Sequence, residues 1–246
     1  MQELIALRRR EMEYLQRDGQ VAGDAYFCAQ QNALVVRNAE EYYRNMFRRE
    51  VSSWNLRDSH MMEVLVSLGE HLGKEQGAPA KIVVWAHNSH LGDARATEMG
   101  ERGELNLGQL VRERFGKEAV SIGFTTYTGT VTAASNWDEA AERKPVRPGH
   151  RASYEALFHD ADTPRFFLNL RDNSQLAAEL RSEHLERAIG VIYRPETELQ
   201  SHYFHARLPD QFDGIIHFDH TRAVEPLERS TEWELGEVEE TFPSGL

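Results

Sequence analysis

Apolar positions recur first at helical spacing and later at strand spacing, and the change falls near residue 77. Leu4, Leu7, Met12 and Leu15 stand in loose helical register over 3–17. Val35, Val36, Ala39, Tyr42, Tyr43, Met46 and Phe47 recur at three- and four-residue steps over 29–50. That stripe predicts a second helix with Tyr42, Tyr43 and Phe47 packed in a core. Met61, Met62, Leu65, Leu68 and Leu72 share one face of a third helix over 57–73, which the segment from Gln76 to Pro79 breaks. Lys81-Ile-Val-Val-Trp-Ala86 is then a short continuous apolar run, as expected of a strand buried on both faces. A polar stretch leads to Leu105–Phe115, helical by its spacing of Leu107, Leu110, Val111 and Phe115, with Gly116 as its stop. Val120–Tyr127 reads as the next strand, and strand–helix–strand in this order predicts a parallel βαβ unit. Further strands are expected at Arg165–Leu170, Ala188–Tyr193 and Ile215–Phe218, with short helices near 153–159 and 174–181.

The pattern predicts an α/β fold: a largely parallel central sheet, flanking helices and a helix-rich N-terminal third. Nothing in the composition marks a linker. One domain over 1–246 is expected, with a helical part at about 1–76, an α/β part at about 77–227 and a tail at 228–246. Of the 246 residues 40% are apolar and 28% charged, which suits a globular chain able to bury a core. Twenty-eight basic against 40 acidic residues leave a net charge of −12. Such a surface argues against a nucleic-acid backbone, which needs a basic stripe, and against an anionic membrane. No apolar run reaches the ~20 residues of a membrane span. The N-terminus lacks the shape of a secretory signal, so a cytoplasmic location is expected. The single cysteine, Cys28, excludes an internal disulfide framework and is expected to be a small buried hydrophobe.

Chemistry-bearing residues are densest at Trp85-Ala-His87-Asn88-Ser89-His90-Leu-Gly92-Asp93, directly after the predicted buried strand. In parallel α/β sheets ligands collect outside the carboxyl ends of strands. Histidine transfers protons near neutrality. His87 and His90 would face opposite sides of an extended segment, whereas a tight turn at Asn88-Ser89 would bring both to one cavity. The bland reading is a polar loop with two surface histidines. His87, His90 and Asp93 are metal ligands by residue type, but their spacing is not diagnostic; no metal and no cofactor is expected. The chain has no GxSxG elbow, HExxH, Walker A or GxGxxG segment. Glu70 and His71 read as an exposed helical pair, and His217 and His220 as structural or rim residues. Asp58, near a helix start, is suited to hold free backbone amides. That leaves Arg57 to reach a carboxylate or a substrate oxygen.

Val84-Trp85-Ala86-His87-Asn88-Ser89-His90-Leu91-Gly92-Asp93 closely resembles the histidine motif of the erythromycin esterase family. Trp54-Asn55-Leu56-Arg57-Asp58 with His60-Met61 resembles the same family upstream. Glu98-Met99-Gly100, Asn106-Leu107-Gly108, Phe115-Gly116, Gly123-Phe124, Gly129, Ile189-Gly190-Val191, Phe212-Asp213 and Thr221-Arg222-Ala223 follow in order, over roughly residues 20–227. The resemblance implies an α/β core with added helices. It also implies hydrolysis of an ester such as a macrolide lactone by histidine-activated water, with His87 and His90 catalytic and Arg57 and Asn88 binding substrate. The family's Gly-Glu-x-x-His-Gly segment, which supplies a glutamate and the proposed general base, has no counterpart in the sequence. The chain is therefore expected to be the C-terminal portion of such a protein, an incomplete domain with little activity alone. Its expected partners are a small-molecule ester and either the missing N-terminal segment or a second copy. The alternatives are a non-catalytic binding module or decayed remnant of the fold and, third, metal-dependent hydrolysis.

Overall fold

The computed structural model describes residues 20–46, 52–171 and 174–227. The helix expected over 3–17 lies outside them. Two long helices open the described chain, α1 (Gln20–Met46) and α2 (Ser52–Gln76). They pack against each other. Single-turn helices α3 (Asn88–Leu91) and α4 (Glu98–Glu101) precede α5 (Leu107–Phe115). Strands β1 (Ile122–Ala133) and β2 (Glu142–Val146), helix α6 (Tyr154–His159), strand β3 (Arg165–Asn169), helix α7 (Ser174–Glu179) and strand β4 (His184–Arg187) follow. The described chain closes with α8 (Glu198–Ser201), β5 (Tyr203–Ala206), α9 (Leu208–Gln211) and β6 (Gly214–Thr221).

The α/β class and the helical first third are as expected. The four-stranded sheet, in the order β2-β1-β6-β3, is mixed rather than largely parallel: β1 and β6 run parallel, and β2 and β3 flank them antiparallel. β4 and β5 form a separate antiparallel pair. β1 changes partner midway. Its first half pairs with β6 and its last five residues with β2. The switch falls at Gly129, at φ 125°, where a Cβ would lie 2.0 Å from the Thr221 carbonyl oxygen. Only glycine tolerates both the angle and the approach. Gly116, at φ 53°, ends α5 as expected.

Two expected strands do not form. Residues 188–193 are loop apart from a single bridge between Ala134 and Ile192, and β4 lies just before them. Lys81–Ala86 forms no strand and enters no ladder among the described residues, so the first arm of the expected βαβ unit is missing. A doubly buried strand needs cover on both faces and a hydrogen-bonding neighbour. Here Val83 is 92% and Trp85 84% exposed. The apolar stripe of α1 is likewise uncovered at Val35, Val36 and Tyr43, and Cys28 is exposed rather than buried.

The main core lies where α6 and α9 meet the sheet. Tyr154, Phe158, Leu170, Leu180, Leu208, Phe212 and Ile215 pack there, with Phe166, Leu168 and Leu176 at its margin. The Tyr154 hydroxyl has its one hydrogen within reach of the Ser182, Leu180 and Ala206 carbonyls, at 2.9, 3.1 and 3.1 Å, and accepts from Leu208 N–H. The histidine segment is set on this frame by side-chain bonds. Asn106 Nδ2 donates to the Ser89 and Gly92 carbonyls at 2.8 and 2.6 Å. Ser121 Oγ donates to the Leu91 carbonyl at 2.6 Å.

Candidate active site

His87 is the N-cap of α3, and its ring is held from both sides. Ser89 N–H donates to His87 Nδ1 at 3.2 Å, so Nδ1 is the acceptor of the ring and Nε2 carries the proton. Nε2–H then donates to the Ile189 carbonyl at 2.8 Å. Crowding of protein around the ring pushes its pKa down. The Ile189 hydrogen bond opposes that shift, and repulsion from His90 adds to it. Both nitrogens of His87 are therefore committed to the protein. The single helical turn that follows places His90 three residues on, with its backbone N–H bonded to the His87 carbonyl at 2.9 Å; neither histidine lines the small cavity beside the turn.

His90 is held differently. Its Nδ1 lies 3.0 and 2.9 Å from the two oxygens of Asp58, which is 0% exposed. A carboxylate only accepts, so Nδ1 carries the hydrogen and Nε2 is left with the lone pair in the neutral ring. The same Asp58 oxygen accepts from the N–H of Leu107, the first residue of α5. Asp58 thus does hold a free helix-start amide, though of α5 and not of its own helix. Trp54 stacks flat on His90, with centroids 4.6 Å apart and planes 5° from parallel. Trp54 is itself fixed by its Nε1–H bond to the Leu105 carbonyl. The guanidinium of Arg57 also lies on the Trp54 ring, at 4.6 Å. Arg57 is exposed and makes no side-chain hydrogen bond or ion pair among the described residues.

Asn88 turns away from this group. Its Nδ2 donates to the Phe124 carbonyl at 2.7 Å, and its Oδ1 accepts from Phe124 N–H at 3.1 Å. The side-chain amide imitates a peptide group and closes the edge of β1 at the point the Lys81–Ala86 run does not reach as a strand. Asn88 is thus a clamp on the sheet in this structure. Asp93 does not join the histidines either: Arg95 binds its carboxylate through Nε and Nη2 at 2.9 and 2.7 Å. Among the described residues, the group that brings three metal-capable atoms together lies elsewhere, at Asp24, His71 and Glu75 on the α1–α2 pair. His71 and Asp24 already share a 2.8 Å hydrogen bond there, and Phe27 stacks on the His71 ring.

Several contributors carry no mark in the sequence. A small cavity of about 80 Å³ lies between Trp54, Ser89, Thr97, Leu105, Asn106 and Gln211. Glu104 also lines it, and burial raises the pKa of that carboxyl. Two acids, Glu155 on α6 and Glu186 on β4, are buried, each 1% exposed. His217 is fully buried and hydrogen-bonded to Thr125 Oγ1, a structural histidine as expected.

The family model described as erythromycin esterase matches residues 1–221. "Putative hydrolase YbfO" of Bacillus subtilis (strain 168) is 27% identical over 186 residues, covering 74% of this chain and 37% of YbfO. A crystal structure of a Bacillus cereus protein superposes with a TM-score of 0.71 at 20% identity, over 89% of this chain and 50% of that one. A succinoglycan biosynthesis protein superposes at 0.57 and 19% identity, over 86% of this chain and 53% of that one. The chain therefore spans about half, or less, of the length of the relatives it matches.

Proposed function

The chain belongs to the erythromycin esterase family, and we propose that it supplies the histidine-bearing half of a hydrolytic site for an ester such as a macrolide lactone. The observation that carries this reading is the Asp58–His90 pair: a buried carboxylate fixes the tautomer and ring plane of a histidine whose Nε2 keeps its lone pair. A carboxylate that orients a histidine is a recurring arrangement for proton transfer. His87, with both nitrogens engaged, keeps the turn in place and stays neutral. In the reaction a water loses a proton to a histidine base as its oxygen bonds the ester carbonyl carbon. The tetrahedral intermediate then collapses, the acyl C–O bond breaks, and the alcohol leaves with a returned proton. His90, whose Nε2 accepts in the neutral ring, would orient the water; after taking a proton there it would donate to the intermediate, a contribution worth ~3–4 kcal/mol for a well-placed donor. Arg57, held over Trp54 without a charged partner among the described residues, suits a substrate oxygen.

The cavity behind Trp54 has room for a few water molecules and not for a macrolide, since drug-sized sites run to ~300–1,000 Å³. The uncovered Val83 and Trp85 beside the turn fit a cleft whose second wall belongs to another polypeptide segment. That segment would also bring the missing base and its glutamate. We place this chemistry in the cytoplasm. No described helix is long and apolar enough to cross a membrane.

The test is ester hydrolysis by this chain combined with the complementary N-terminal half of a relative, comparing wild type with His90→Ala and Asp58→Asn. Both substitutions should lower kcat by ~10²-fold or more with little change in KM, as loss of acid–base assistance does. Unchanged kcat in His90→Ala would remove this histidine from the reaction.

A further inference from the structure

We propose that Asp24, His71 and Glu75 form a structural site for a divalent transition metal, zinc foremost, which clamps the α1–α2 pair at the end remote from the chain joining the two helices. His71 and Glu75 stand four residues apart, so both lie on one face of α2. Asp24 meets them from α1. His71 Nε2 lies 2.8 Å from Asp24 Oδ1 and 3.7 Å from Glu75 Oε1, and the three ligand atoms fall within 4.8 Å of one another. The ring has a set direction. Phe27, one turn on from Asp24, stacks on it with centroids 4.2 Å apart and planes 5° from parallel. That contact holds Nε2 toward the two carboxylates.

One imidazole N–H aimed between two carboxylates answers one of them at a time. A divalent cation in the same place neutralises both, and a set of one imidazole nitrogen and two carboxylate oxygens suits zinc. Zinc holds its ligands at ~2.0–2.2 Å, hence ~3.3–3.6 Å from one another. Small rotations of the two carboxylates bring the observed spacings to those values. The metal takes the place of the Nε2 hydrogen, and the neutral ring then keeps its hydrogen on Nδ1. Water completes the fourth position on the exposed side of Asp24. The site stands apart from the histidine turn: thirteen residues of α2, ~20 Å along its axis, separate His71 from Asp58. What the metal holds is the helix. α2 carries Trp54, Arg57 and Asp58 near its start and is tied to α1 at its far end.

The experiment is isothermal titration of the metal-stripped full chain with zinc chloride. One zinc per chain is expected, with calcium and magnesium failing to compete because one ligand is an imidazole. His71→Gln and Asp24→Asn should each weaken binding by ~10²-fold or more, since loss of even an indirect metal partner costs up to that much. Asp24 is exposed, so Asp24→Asn should keep the wild-type circular dichroism spectrum, which separates loss of the site from loss of the fold. Zinc should raise the midpoint of thermal unfolding in the wild type and leave it unmoved in Asp24→Asn. The competing zinc ligands are Cys28, an exposed thiol on α1, and His205, 3.4 Å from Glu183. Cys28→Ser and His205→Gln should bind zinc as the wild type does. No saturable zinc binding, stoichiometric binding that survives both His71→Gln and Asp24→Asn, or binding lost with Cys28→Ser or His205→Gln would each overturn the assignment. None of these readouts depends on ester hydrolysis.

Discussion

Asp58 serves two elements with one carboxylate. It receives the Nδ1 proton of His90 and the first amide of α5, and no solvent reaches it. Asp58→Ala leaves both donors buried and unpaired, at ~1–3 kcal/mol each. A loss of about 3 kcal/mol is expected in denaturant unfolding, with Asp58→Asn milder because its amide oxygen still accepts from Leu107. The pH dependence of stability carries two signs. His87, His202 and His217 have pKa values lowered first of all by burial. The unfolded chain binds their protons more readily, so stability falls as pH drops below the unfolded histidine value of ~6.5. Glu186 acts oppositely. Its carboxyl is raised from 4.5 to about 8, so the folded state holds the extra proton. Its contribution is full below about 4.5 and is lost as pH rises through about 8. Glu155 shifts in the same direction. Urea midpoints across this range should show a shallower alkaline decline in Glu186→Gln than in the wild type.

At the scale of elements, Lys81–Ala86 shows what a pattern can and cannot say. Its apolar run predicts a strand covered on both faces, and no strand forms there. Whether a run becomes a strand depends on a neighbour, and no local pattern encodes one. Trp85, 84% exposed, therefore contributes little to the isolated chain. Trp85→Ser should change unfolding free energy by less than ~0.5 kcal/mol, against the ~3–5 kcal/mol of a buried tryptophan, and should reduce self-association in sedimentation. Helices and their stops were legible in the same way: α5 ends at Gly116 because only a positive φ suits that turn. The mixed sheet was not, because β1 changes partner at Gly129 through a contact with Thr221, a long-range event. At the site, His87 and His90 were legible from residue type and from the turn between them. Trp54 as the platform of His90 was not, because it meets the turn from a distant part of the chain.

Over the whole molecule the described fold is a sheet, its flanking helices and a helical pair, with one wall of a site and an apolar flank beside it. The chain covers 37% of YbfO and 50% of the Bacillus cereus structure. On the proposed reading the chain supplies the orienting pair Asp58–His90, and the base and the second wall of the site would come from another segment. Loss of a general base costs ~10²–10⁴ in rate, and loss of positioning adds to that. The direct measurement is turnover of simple esters and of a macrolide by this chain alone and after mixing with the N-terminal half of a relative. The account predicts hydrolysis only in the mixture, abolished by His90→Ala. Robust turnover by the chain alone, also abolished by His90→Ala, would contradict it and show that these residues form a complete site.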